Sequence, residues 1–166
     1  MEQLEMLVFF SGYPLVYYLV RFFSRHVSLK NISSAELISI LPFAYALSGT
    51  LFLGLQLKNV YPVYTIENVR HRIQQPYLFI WALLSLLFWI PAIPKRQILS
   101  VLHSLVFFLI IIRDLYYQLT GFISDRSILK NDMTVYTISI FLNLAAFLFI
   151  SLSCYIYNLR IKYPKS

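Results

Sequence analysis

The sequence predicts an all-α integral membrane protein, a bundle of about five transmembrane helices with short loops that forms a single membrane domain over residues 1–166. Hydrophobic residues make up 59% of the chain, charged residues only 13%, and the mean hydropathy is +0.69. A soluble domain carries about 25% charged residues. The charged residues also separate apolar windows close to the ~20 residues that a helix needs to cross a ~30 Å hydrocarbon core. The bilayer is therefore the expected solvent and partner.

The first two spans are predicted from the N-terminal third of the chain. The first covers 4–23, with Glu5 and Arg21 near its margins. Pro14 lies inside it, where a kink is tolerated because neighbouring helices can bond the freed carbonyl. The second span covers 35–57, an apolar run that ends before a lysine.

The third and fourth spans are predicted over 77–93 and 98–119. Pro76 suits the first turn of a helix, where its missing N–H costs no hydrogen bond. The short link between the two runs requires the fourth to return antiparallel to the third. The main alternative joins both runs into a re-entrant hairpin that does not cross completely.

The fifth span is predicted over 133–159, which contains no charged residue. Asp132 precedes this run and is of the residue type that caps helix N-termini. Gly121 likewise suits the end of the fourth helix. Five crossings would place the two chain termini on opposite sides of the membrane.

The distribution of Lys and Arg predicts the orientation. With the N-terminus outside, the inner segments hold eight of these residues and the outer segments six. Since cytoplasmic loops are enriched in Lys and Arg, we expect the N-terminus out and the C-terminus in, in a plasma or inner membrane. The net charge of +7 then belongs to membrane topology, and we expect no nucleic-acid partner because no soluble basic domain is present.

Two polar residues inside the predicted spans are candidates for a ligand or ion site. His103 lies in the inner part of the fourth span, and Asn143 lies near the middle of the fifth. Polar groups at membrane depth are costly and often functional. The alternative for both is a hydrogen bond between helices that serves packing alone.

Arg113 and Asp114 are adjacent near the outer edge of the fourth span, followed by two tyrosines. At this depth both charges can reach headgroups or water, so the pair anchors the helix at the membrane edge. The remaining alternatives are a functional site and recognition of a partner subunit. If a partner subunit binds, the pair is our first candidate for the contact.

Ala46, Thr50 and Gly54 recur at four-residue spacing in the second span. Small residues at this spacing let two helix backbones approach closely. We therefore expect this stripe at a helix interface, within the chain or with a partner.

Several chemistries find no support in the sequence. It contains no zinc-protease, nucleophile-elbow, phosphate-loop or dinucleotide motif. Its one cysteine, Cys154, excludes an internal disulfide framework and a cysteine-rich metal site. We therefore expect no catalytic residues, no metal and no cofactor.

These observations favour a non-catalytic accessory or structural subunit of a larger membrane complex, bound to other membrane subunits or to copies of itself. The first alternative is a small oligomeric transporter or channel with a polar site near His103 and Asn143. The second is a membrane enzyme that acts on lipid through His103 or Cys154.

Overall fold

The structure, a computed structural model, describes residues 2–26, 34–62, 75–90, 97–120 and 126–162, and helices account for nearly all of them. In chain order the elements are α1 (Glu2–Phe10), α2 (Tyr13–His26), α3 (Ser34–Val60), α4 (Pro76–Leu83) with a 3-10 segment that continues it (Leu84–Trp89), α5 (Gln97–Thr120) and α6 (Arg126–Lys162). The described residues contain no strand, so the all-α prediction is confirmed.

Four helical stretches are long and apolar enough to cross a membrane: Gln3–Ser24, Glu36–Val60, Gln97–Tyr117 and Lys130–Tyr157. The third predicted span is the exception. It begins at Pro76 as expected, but its helix ends at Trp89, and the last part of the predicted range lies outside the described residues. With a rise of 1.5 Å per α-helical residue and 2.0 Å per 3-10 residue, Pro76–Trp89 extends about 24 Å.

The first predicted span is two helices rather than one. α1 ends at Phe10 and α2 begins at Tyr13, with a turn between them. The Ser11 amide still bonds the Leu7 carbonyl at 3.0 Å, but the Gly12 amide bonds a side chain of α6 instead of α1. Pro14 contributes because it has no N–H to donate to the preceding turn.

The predicted N-terminus of the last helix is wrong. α6 begins at Arg126, and Asp132, expected as its cap, lies within the helix with only 9% of its surface exposed. The segment before Asp132 contains neither Gly nor Pro, so nothing prevents the helix from starting earlier. A cap is worth only about 1 kcal/mol, which is too little to fix the start of a helix on its own.

Hydrogen bonds define one end of the bundle, here called the Gln3 end. Gln3 Nε2 donates to Asp114 Oδ2 at 3.4 Å, and Gln75 Nε2 donates to Gln3 Oε1 at 2.8 Å. Gln56 Nε2 donates to Glu5 Oε2 at 2.9 Å. The start of α1, the end of α3, the start of α4 and the end of α5 therefore meet there.

Chain direction then places the other helix ends. α2 ends, and α3 and α5 begin, at the opposite end, here called the Arg21 end after an exposed residue of α2. α6 follows α5 after a short link, so it starts at the Gln3 end and runs towards the Arg21 end. Consecutive segments alternate in direction, which is the arrangement expected of a chain that passes back and forth.

Aromatic side chains fill the interior between the helices. Phe10 is fully buried and stacks on Phe107 with ring centroids 4.9 Å apart. Phe10 also meets Phe52 at 5.5 Å and Tyr45 at 5.7 Å, both edge to face. Such pairs add about 0.5–1.5 kcal/mol to the area they bury, so this cluster ties α1, α3 and α5 together.

Candidate functional site: the buried polar clusters

Asn143 lies against the break between α1 and α2. Its Nδ2 donates to the Phe9 carbonyl at 3.0 Å, and the Gly12 amide donates to Ser139 Oγ at 2.7 Å. Ser139 and Asn143 are one helical turn apart on α6, so both face the break. Together they supply a donor and an acceptor to backbone groups that α1 and α2 leave without partners.

Gly12 makes this approach possible. A Cβ on Gly12 would lie 2.5 Å from the Ile140 nitrogen and 2.6 Å from the Ser139 carbonyl carbon, which are backbone atoms of α6. No side chain larger than hydrogen fits there without moving a helix. The glycine therefore allows the backbone contact through which Ser139 reaches the Gly12 amide.

The remaining polar groups of Asn143 are also bonded. The Nδ2 atom donates a second bond to the Ser139 carbonyl at 2.9 Å, and Oδ1 accepts from Ser48 Oγ at 3.2 Å. Only 2% of the Asn143 surface is exposed. Asn143 thus joins α1, α3 and α6, and its two amide protons and its oxygen are engaged by the protein itself.

His103 forms a second cluster between α3, α4 and α5. Its Nε2 lies 2.8 Å from the Trp81 carbonyl and its Nδ1 lies 2.7 Å from the Tyr45 hydroxyl. Because a carbonyl can only accept, Nε2 carries the proton and Nδ1 accepts from Tyr45. In this neutral tautomer both ring nitrogens of His103 are used.

Trp81 and His103 bond reciprocally. The Trp81 indole Nε1 donates to the His103 carbonyl at 3.1 Å, while the His103 ring donates to the Trp81 carbonyl. The two rings are stacked, with centroids 4.7 Å apart and planes 8° from parallel. This pair holds α4 against α5 with two hydrogen bonds and a stacked contact.

A third polar contact lies close to the histidine. Ser100 Oγ donates to the Gln97 carbonyl at 2.8 Å and accepts from the Tyr13 hydroxyl, also at 2.8 Å. The Tyr13 ring packs 4.4 Å from the Tyr45 ring, centroid to centroid. Both tyrosines therefore fix α2 and α3 to α5 while their hydroxyls stay bonded inside the bundle.

The two ligand candidates occupy neighbouring but separate clusters. Tyr45 and Ser48, which bond His103 and Asn143 respectively, are three residues apart on α3. Within the described ranges no direct hydrogen bond joins His103 to Asn143. The structure therefore places both candidates in the interior, each bonded to a different residue of α3, and a ligand site shared by them stays a prediction.

Arg113 and Asp114 bond each other at the Gln3 end. The guanidinium donates to Asp114 Oδ1 from Nη2 at 2.9 Å and from Nε at 3.1 Å. Their side chains are 58% and 29% exposed, and Asp114 also accepts from Gln3. Exposed pairs of this kind contribute at most about 1 kcal/mol, so the pair marks an accessible edge rather than a strong internal contact.

The small-residue stripe on α3 divides between the interior and the surface. Ala46 is fully buried in this chain, whereas Thr50 and Gly54 are exposed. Thr50 Oγ1 accepts from the Trp89 indole at 2.8 Å, and a Cβ on Gly54 would meet nothing within 4 Å. A partner helix could therefore reach Gly54 and the open side of Thr50, but not Ala46.

The glycine of α3 that permits a close helix contact is Gly49, which the stripe did not include. A Cβ there would clash with the Ser85 hydroxyl and lie 3.1 Å from Ser85 Cβ. Ser85 is fully buried in the 3-10 segment. The prediction from the sequence missed four residues that make these contacts, because no local pattern distinguishes them from other apolar residues: Gly12, Tyr45, Gly49 and Trp81.

The described residues contain no cluster of metal-binding side chains, and they do not pair Cys154 with His103. No group of three or more His, Cys, Asp or Glu side chains converges among them. Cys154 is exposed on α6, while both nitrogens of His103 are bonded inside the bundle. His103 is therefore not positioned as a base for that thiol.

Comparison with known proteins gives no relative: no family model, no curated protein and no solved structure matches this chain.

Proposed function

We propose that this chain is an integral membrane protein that crosses the bilayer five times and acts as a non-catalytic accessory subunit of a larger membrane complex. The observation that carries the proposal is that the buried polar side chains Asn143 and His103 are bonded within the protein, to other side chains and to backbone carbonyls. Asn143 and His103 use their hydrogen-bonding atoms to join helices. What the fold leaves available for recognition is its outer surface.

The length of α4 with its 3-10 segment supports five crossings over a re-entrant hairpin. Gln75 and Asp114 both bond Gln3, so the third segment starts at the end where α5 finishes. From that level the third segment extends about 24 Å and α5 about 26 Å back to Gln97. Both lengths are close to the ~30 Å hydrocarbon core, so the third segment and α5 are each long enough to reach the opposite side.

The orientation is argued from the distribution of Lys and Arg. The Gln3 end would face out and the Arg21 end would face in, because the Arg21 end carries more Lys and Arg. Arg113 and Asp114 then lie at the outer headgroup level, accessible to a neighbouring subunit.

Purification of the full chain in mild detergent, followed by native mass measurement, tests the subunit assignment. We expect the 19.5 kDa chain to appear with other membrane subunits or with copies of itself. The double variant Arg113→Ala/Asp114→Asn should reduce recovery of the partner, whereas Lys58→Ala, another exposed charge near the Gln3 end, should not. A stable lone monomer in the wild type would contradict the proposal.

One observation favours a second candidate, a small oligomeric transporter or channel. The α1–α2 break lies within the bundle beside Asn143, and discontinuous helices at mid-membrane depth often line substrate or ion sites. Reconstitution into liposomes separates the two candidates. Flux that disappears in both His103→Ala and Asn143→Leu would support transport, whereas no flux above empty liposomes would leave the subunit assignment standing.

A further inference from the structure

We propose that the Arg21 end of the bundle binds the headgroups of anionic phospholipids, with the ends of α2 and α6 as the docking surface. The inference rests on the membrane crossing proposed above and adds a ligand class to it.

The two ends of the fold differ sharply in charge. In the sequence, the stretches that continue α2, lead into α5 and end α6, 21–36, 91–97 and 158–166, contain eight basic residues and one acidic residue. The segments of the Gln3 end contain six basic and six acidic residues. All of the net charge of +7 therefore belongs to one end. A count of Lys and Arg alone, at eight against six, conceals this difference because the acidic residues are ignored.

The end of α6 carries apolar, aromatic and basic residues in that order. Residues 152–157 are exposed without interruption, among them Leu152 at 60%, Tyr155 at 54% and Tyr157 at 66%. Arg160 and Lys162 follow in the last turn of the helix. Hydrocarbon, tyrosine-rich interface and anionic headgroup follow one another in the same order across a bilayer leaflet.

The length of α6 brings its charges to the headgroup level. From the contact between Gly12 and Ser139, α2 continues about 21 Å to its last residue and α6 about 35 Å to Lys162. α6 therefore reaches about 14 Å further along a parallel path. α6 as a whole has 37 residues and is about 55 Å long, which is more than the ~30 Å hydrocarbon core. Tilt accounts for part of that excess length, and the last turn is left to extend beyond the core.

α2 also carries a cation among exposed apolar side chains, although not in the same order. Arg21 is exposed, and its neighbours Leu19 and Phe23 are 42% and 56% exposed. On α2 a cation stands next to open apolar surface, and on α6 two basic residues follow such a surface in the last turn of the helix. A phospholipid matches both features with an anionic headgroup and an acyl chain, whereas an acidic protein segment would match only the charge. The combination favours anionic lipid as the occupant.

The test uses the full-length protein in detergent with equimolar phosphatidylglycerol and phosphatidylcholine, and native mass spectrometry to count the lipids retained. We expect phosphatidylglycerol to be retained preferentially. Each basic residue near an anionic surface strengthens attraction about fivefold. The double variant Arg21→Gln/Arg160→Gln should therefore lower the preference at least tenfold.

The matched control, Lys58→Gln/Lys130→Gln, removes two positive charges from exposed positions near the Gln3 end and should change the preference less than twofold. Equal retention of the two lipids by the wild type would overturn the inference, as would an equal loss in the control. Loss of a co-purifying subunit in Arg21→Gln/Arg160→Gln, without any lipid preference in the wild type, would assign the surface to protein and also overturn it. The subunit proposal is tested by the partner proteins seen in native mass spectra, not by the bound lipids. A loss of lipid preference therefore does not contradict it.

Discussion

Replacing Asn143 by Leu tests whether the last helix stabilises the break in the first. The change removes the 3.0 Å bond to the Phe9 carbonyl and the 3.2 Å bond from Ser48. Leaving a buried carbonyl without its donor costs about 1–3 kcal/mol. Ser48 Oγ also lies 3.4 Å from the Ala44 carbonyl, to which it can still donate when Asn143 is replaced. The loss of the bond from Ser48 to Asn143 therefore costs little, about 0.6 kcal/mol as for typical bonds between membrane helices.

The Ser139 carbonyl, third partner of Asn143, is within α6 and keeps its own helical amide, so that bond adds little. We therefore expect the free energy of unfolding to fall by about 2 kcal/mol. Unfolding by SDS in mixed micelles, followed by tryptophan fluorescence, gives this quantity, since Trp81 is stacked on His103 in the folded bundle.

Two variants make the result interpretable. Thr137→Val changes an exposed residue of the same helix that bonds only its own backbone, and it should stay within about 0.5 kcal/mol of the wild type. Asn143→Ala removes the same bonds without the larger side chain, so a loss in both Asn143 variants excludes overpacking as the cause. If Asn143→Leu and Asn143→Ala both unfold like the wild type, the bond to the break does not stabilise the fold.

Three further predictions use the same unfolding assay. Gly49→Ala should destabilise the bundle by about 1–3 kcal/mol because its new methyl group meets the 3-10 segment. Gly54→Ala on the open face should be neutral or gain up to about 1 kcal/mol of helix propensity. Equal effects of the two substitutions on stability would contradict the contact assigned to Gly49. His103→Phe should cost about 1–3 kcal/mol by leaving the Tyr45 hydroxyl unpaired, and adding Tyr45→Phe should recover part of the loss; strictly additive losses would show that the two side chains do not interact. Arg113→Ala should cost less than about 1 kcal/mol because the pair is exposed, and a loss above 2 kcal/mol would show that it is buried in the working protein.

The helices could be predicted because charge and proline mark their ends. Pro76 does begin α4, and α5 does end immediately before Gly121. The break in the first span was only partly predictable. Pro14 indicated a kink, but the position of the turn depends on Gly12 lying against α6, more than a hundred residues later in the chain.

The packed faces could not be predicted for a different reason. In a soluble helix, the polar face identifies the buried one. Here both faces of α3 are apolar, so the stripe of Ala46, Thr50 and Gly54 and the position of Gly49 look equally suited to an interface. Only the tertiary structure shows that Gly49 meets Ser85 and that Gly54 stays open. His103 was a candidate from its location alone, and its partners became evident only when α3 and α4 were placed beside it.

The number of crossings is tested most directly by labelling the two chain ends from one side of the membrane. In a Cys154→Ala background, single cysteines are introduced as Glu2→Cys or Ser166→Cys, and intact cells are treated with a membrane-impermeant maleimide. Five crossings with the Arg21 end inside predict labelling of Glu2→Cys in intact cells, and of Ser166→Cys only after permeabilisation. Labelling of both, or of neither, in intact cells would show that the termini share a side and would contradict the odd number of crossings.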